Sequence, residues 1–143
     1  MTNFDTVRAI TANIHKALAG QGAKFPGRAY EDVKSIPASL MPCAEIQYAG
    51  EAFENTYGQR PLYAQAQFEI KIVLNERDTN DLAAAQQKWV HRIREALTVN
   101  ALNANELSAD KYVSSVTTKG VDVQNHDSLS VLVYRVAVRY REV

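Results

Sequence analysis

The stretch Leu62–Leu74 constrains the fold of this chain more than any other. Leu62, Ala64, Ala66, Phe68, Ile70, Ile72 and Leu74 alternate with Tyr63, Gln65, Gln67, Glu69 and Lys71. Successive side chains of a strand point to opposite faces, so this period of two makes one face apolar and the other polar. Such a run belongs to an antiparallel sheet packed on one side. Its apolar face has to be covered by another layer of the same chain.

Two amphipathic segments supply the cover. Phe4, Val7, Ile10, Ile14, Ala17 and Leu18 recur at three- and four-residue steps and predict a helix from about Phe4 to Ala19 with those residues on one face. Thr2 and Asp5 have the spacing of a capping box, with Asp a shorter arm than the usual Glu, and Gly20 and Gly22 supply the stop. The second helix is predicted from Thr79 or Asn80 to Val99. Asp78, Thr79 and Asn80 suit its N-cap and Asp81 its first turn. Leu82, Ala85, Trp89, Val90, Ile93, Ala96 and Leu97 form its buried stripe, with Gln86, Lys88, Arg92 and Glu95 outside it.

Weaker patterns complete the sheet. Ala44, Ile46 and Tyr48 alternate with Glu45 and Gln47 as a short strand, and Gly50–Pro61, rich in turn formers, reads as a projecting loop. Tyr112–Val123 is rich in β-branched residues and is interrupted by Gly120; Gln124–Ser128 reads as a turn. In Leu129–Tyr140 the core face is Leu132, Tyr134, Val136, Val138 and Tyr140, opposite Val133, Arg135, Ala137, Arg139 and Arg141. Gln21–Pro42, broken by prolines, is a long connection with a short strand near Arg28–Tyr30, and Asn100–Asp110 is a polar connection with one helical turn. The expectation is a single α+β domain over residues 1–143, in the order α-β-β-α-β-β. One mostly antiparallel sheet carries two helices on one face.

Composition bears on what such a domain does. Sixteen Lys and Arg cancel sixteen Asp and Glu. No net field therefore draws the chain to nucleic-acid phosphates, and no sequence-specific nucleic-acid partner is expected. A neutral surface also does little to keep copies apart, a weak pointer to self-association. Cys43 stands alone, so no intrachain disulfide forms and the chain reads as cytosolic. No basic-then-apolar leader opens the sequence, no run approaches a membrane span, and no membrane partner is expected.

The residues that could carry chemistry are scattered. His15 and His91 fall on the polar sides of the helices, and one His91–Glu95 pair falls short of the roughly three protein ligands that a catalytic zinc needs. Asn125-His126-Asp127 has the composition of a turn. Cys43 reads as a small buried apolar group, since no base is nominated beside it. The carboxylate pairs Glu51/Glu54 and Glu31/Asp32 lie in loop-like segments, where burial would not retune them. No phosphate-binding loop, dinucleotide fingerprint or nucleophile elbow occurs. The chain is expected to be no enzyme and to need no metal or cofactor.

Two contact surfaces stand out instead. The Gly50–Pro61 segment carries Glu51, Phe53, Glu54, Tyr57 and Arg60, and aromatic and Arg side chains are what interfaces favour. The aromatics either project as an arm or fold back onto the core. The second surface is the polar sheet face with Arg135, Arg139 and Arg141, beside Glu69 and Lys71. It could meet an acidic neighbour or simply be solvated.

The succession of a helix, a proline-bearing loop, a strand ending at a glycine, a long strand, a helix and two closing strands resembles the tail-terminator (tail-completion) proteins of long-tailed bacteriophages. Met41–Glu51 is similar to that family's proline-then-strand segment and Tyr63–Leu74 to its central strand. The resemblance implies a structural virion protein that forms a six-membered ring on the finished tail tube. It would end tube polymerisation and present a surface to the head-completion proteins. Its implied partners are copies of itself, the tail tube protein and a head-completion or connector protein. Its implied location is the host cytoplasm during assembly and then the head-proximal end of the virion tail. By the same analogy Gly50–Pro61 would touch the tube or a neighbouring subunit. Two alternatives stand beside this reading: a head-completion or neck connector, and a small-molecule-binding α+β domain unrelated to phage.

Overall fold

The structure is a computed structural model that describes residues 2–25, 39, 41–54, 63–75, 82–103, 112–126 and 129–142. The elements run α1 (Asn3–Gly20), β1 (Cys43–Phe53), β2 (Tyr63–Asn75), α2 (Leu82–Ala96), α3 (Val99–Leu102), β3 (Val113–His126) and β4 (Leu129–Arg141). The strands form one four-stranded sheet in the order β1-β2-β4-β3, antiparallel throughout. The two most apolar strands therefore lie at the centre, and β1 and β3 are the edges. The predicted α+β architecture is the observed one, and the helical turn expected within Asn100–Asp110 is α3, placed at Val99–Leu102.

Helix α1 starts as the sequence indicates. Thr2 Oγ1 accepts from the Asp5 backbone N–H at 3.1 Å, and the Asp5 carboxylate accepts from the Thr2 N–H at 3.0 Å. The short Asp arm closes the capping box after all. These bonds from Thr2 hold the Asp5 carboxyl below its usual range. The buried stripe of α1 is rotated from the predicted one. Thr6, Ala9 and Asn13 join Ile10, Ile14 and Leu18 inside, whereas Phe4 is 68% exposed with the Arg8 guanidinium 5.8 Å from its ring centre. Polar Thr6 and Asn13 can be buried because each bonds a carbonyl, that of Thr2 at 3.1 Å and that of Leu102 at 3.0 Å. The Thr6 bond stays within α1, the Asn13 bond ties the helix to α3, and Phe4 lies outside.

Both long helices lie on one sheet face. Ile10, Ile14 and Leu18 from α1 and Trp89 and Ile93 from α2 share a core with Phe68, Ile70, Ile72, Leu132, Tyr134 and Val138. Gln86, expected outside the stripe of α2, donates instead to Ser130 Oγ of β4 at 2.7 Å, which satisfies a fully buried hydroxyl. The Tyr134 hydroxyl donates to the Val90 carbonyl on the same helix. The expected N-cap of α2 at 78–81 lies outside the described residues, as does the short strand expected near Arg28–Tyr30. α3 is capped by Thr98, and Asn103 then clamps the start of β3, donating to the Val113 carbonyl at 3.0 Å and accepting from its N–H at 2.6 Å.

Three further sequence expectations are corrected. Gly50 does not open a loop: β1 continues through it to Phe53, because a bulge between Tyr48 and Gly50 absorbs one residue and the ladder resumes at Gly50–Gln67. Gly50 has φ 108°, which glycine adopts without a Cβ penalty. Gln124, Asn125 and His126 are not a turn; they pair with Val131, Ser130 and Leu129, so β3 runs past the expected boundary. Nor is the face opposite the helices polar along its whole length. Val73, Val131 and Val133 are buried there with Met41, Cys43 and Leu129 in a second small core. Register causes this, since Cys43 pairs with Val73 and Val73 with Val131.

Candidate interface on the open sheet face

The polar part of that second face is a set of cross-strand rows. Gln65 of β2 lies opposite Ala52 of β1 and Arg139 of β4, and Ser115 of β3 lies beyond Arg139. Arg139 organises its neighbours. Its Nε donates to Glu54 Oε2 at 2.8 Å, its Nη1 donates to Ser114 Oγ at 3.1 Å, and its central carbon stands 3.7 Å from the Tyr63 ring centre. Glu54 also accepts from Gln65 Nε2 at 3.4 Å, and the Tyr63 and Tyr112 hydroxyls are 3.1 Å apart. Tyr63 of β2, Ser114 of β3 and Glu54, which follows β1, thus meet around one guanidinium of β4. Partly shielded, stacked and multiply bonded, it exceeds a simple surface ion pair.

Arg135 lies further along β4, opposite Glu69 and Gly120. It pairs with Asp122 at 2.6 Å, with both side chains about half exposed. Such a pair contributes little to stability and leaves the charge accessible. Arg141, opposite Tyr63, is half-buried, and its backbone N–H donates to the Tyr112 carbonyl at 3.0 Å. The three arginines expected on one face are therefore on one face, in three different settings.

The other predicted surface divides. The bulge at Gly50 shifts the alternation, so Glu51 and Phe53 sit opposite Ala66 and Ala64 on the helix-bearing side, while Glu54 turns to the open face. Glu51 accepts from Tyr48 at 2.6 Å and from Tyr140. The Glu51/Glu54 pair therefore cannot act as one site: each carboxylate is held on its own side of the strand. Phe53 does not fold back; it is 61% exposed at the end of β1. Tyr57 and Arg60 lie outside the described residues. Sequence reasoning missed Tyr63, Tyr112 and Ser114 around Arg139. The one available signal was Tyr63, which heads the polar row of β2.

Among the described residues, the remaining polar groups assemble no cluster. The His15 ring packs 4.5 Å from that of Phe25, and burial holds its pKa below the ordinary value. Cys43 is buried, and burial pushes its thiol up, away from the thiolate that a nucleophile needs. Among the described residues no group of three or more His, Cys, Asp or Glu could hold a metal ion, and no helix is long and apolar enough to cross a membrane.

No protein-family model and no curated protein matches this chain. Among solved structures it is similar to a chain of the "Virion of native gene transfer agent (GTA) particle", with a TM-score of 0.50 and 10% identity. The match covers 91% of this chain and 92% of that one. At that identity the likeness is one of fold, and it runs nearly end to end in both chains.

Proposed function

We propose that this chain is a structural protein of a tailed, phage-like particle and that it acts by contact, without catalysing a reaction or holding a cofactor. The observation that carries this reading is the end-to-end fold likeness to a chain of a gene transfer agent virion. Within that class, the tail-terminator resemblance of Met41–Glu51 and Tyr63–Leu74 favours a ring that caps the finished tail tube, ends its growth and offers a surface to a head-completion protein. Its partners would be copies of itself in a six-membered ring, the tail tube protein and the connector. It would be made in the host cytoplasm and end at the head-proximal end of the tail.

The open sheet face fits this role. Arg139 cross-links the ends of its strands, and Arg135 and Asp122 leave charges of both signs within reach of a neighbour. Ring closure requires heterologous interfaces repeated around an axis. Light scattering after size exclusion, over a range of concentrations, with negative-stain imaging of any large peak, tests for the ring. Addition to polymerising tail tube protein tests the cap: short, capped tubes are expected, and unchanged tube length would overturn the terminator reading.

A further inference from the structure

The two edge strands carry matching features. Tyr48 (52% exposed) and Phe53 on β1 and Val123 (47% exposed) on β3 are three large apolar side chains left open to solvent, and all three lie on the helix-bearing side of the sheet. On β1, Lys24 bonds the backbone of Pro42 and Ala44 and covers only the start of the strand. On β3, exposure continues from Asp122 through Asn125. Each edge is also bulged, β1 between Tyr48 and Gly50 and β3 twice, between Val113 and Ser115 and between Thr118 and Gly120.

From these features we infer that β1 of one copy pairs with β3 of the next, joining the sheets edge to edge. Because the order is β1-β2-β4-β3 with every pair antiparallel, β1 and β3 run in opposite directions. A neighbour placed by rotation alone therefore presents β3 antiparallel to β1, as in the other pairs of the sheet. A bulge blunts an edge against an indiscriminate strand, because its extra residue breaks the ladder and increases the twist. Two bulged edges fit each other when the bulges coincide.

Setting the β1 bulge against the Val113–Ser115 bulge would carry Ala52 and Phe53 past the start of β3, whereas the Thr118–Gly120 bulge keeps the faces aligned and the whole of β1 opposite strand residues. The second register places Tyr48 opposite Val121, Gly50 opposite Gly120, Ala52 opposite Thr117 and Phe53 opposite Val116. The exposed Tyr48 and Phe53 then gain apolar neighbours on the helix-bearing side, and Lys119 comes beside Glu51. The joint is heterologous, so it repeats around an axis or extends as a filament; the inference deepens the ring reading and rests on it for closure.

The test is a disulfide across the joint. Ala52→Cys and Thr117→Cys change two exposed positions, and Cys43 is buried and out of reach. Under mild oxidation the double variant is expected to give a ladder of linked species. Either single variant alone gives none, and a mixture of the two singles gives dimers only. Phe53→Lys with Val123→Lys, also at exposed positions, is expected to weaken assembly by about tenfold or more, since each charge would be desolvated in the joint. Rings seen by light scattering with no linkage would overturn the edge joint and leave the ring reading standing. Monomers at every concentration with no linkage would also overturn the joint. A ladder that never closes would support the joint and count against the ring.

Discussion

Arg139 stands over Tyr63, its guanidinium carbon 3.7 Å from the ring centre, while its Nε donates to Glu54 at 2.8 Å. A planar cation is thus stacked on β2 and fastened to the end of β1. Lys cannot reproduce this, because an ammonium neither stacks as a plane nor donates along a fixed fork. Both partners of the ion pair are about a third exposed, so solvent screening discounts it. Arg139→Ala is expected to cost about 1–2 kcal/mol, the stacking included, with Arg139→Lys recovering less than half. Urea unfolding of the three proteins measures this; equal midpoints would remove the guanidinium from any account of the sheet's stability.

Trp89 is buried where α2 meets the sheet, with the Arg92 guanidinium 5.5 Å from its ring centre. Trp89→Ala removes that packing and leaves a cavity, for a loss of about 3–5 kcal/mol. The unfolding temperature should fall sharply. Full thermal stability in the variant would contradict the placement of α2 on the sheet.

Those two residues mark what could and could not be read in the sequence. Trp89 lies in a stripe of local periodicity, and both long helices, β2 and β4 follow from such stripes. The surroundings of Arg139 do not, because Glu54 is 85 positions away along the chain and reaches it only through strand order. The fate of Gly50–Pro61 was hidden for a related reason. A single bulge at Gly50 moves Glu51 and Phe53 to the helix-bearing side, and a one-residue shift exchanges the faces of a strand. Phe4 was misplaced because helical periodicity alone cannot reveal that Thr6 and Asn13 find carbonyl partners and take the buried positions.

Alkaline pH should unfold the protein through its buried phenols. Burial pushes the Tyr134 pKa up to about 12, and burial with the bond to Glu51 raises that of Tyr140 further. In the unfolded chain each phenol titrates near pH 10. A raised folded value means that the native state keeps its proton longer. The stability so contributed is whole below about pH 10 and is lost as pH climbs through about 12 for Tyr134. Tyrosinate absorbance and loss of circular dichroism should therefore rise together in that window. Tyr134→Phe should flatten the alkaline slope while costing about 1 kcal/mol at neutral pH, where the bond to the Val90 carbonyl is lost. An unchanged slope would mean that another group governs the transition.

Phe53 separates folding from assembly more cleanly than any other residue of β1. It is 61% exposed, so the monomer gains little by keeping it. Phe53→Ser should change monomer stability by about 0.5 kcal/mol or less, as exposed substitutions do. If edge-to-edge pairing of copies buries the ring, the same change removes a large apolar contact from every joint. Assembly measured by light scattering should then shift to higher protein concentration while the unfolding temperature holds. A variant that unfolds as a monomer would show Phe53 to be part of the core, and one that assembles unchanged would exclude it from the joint.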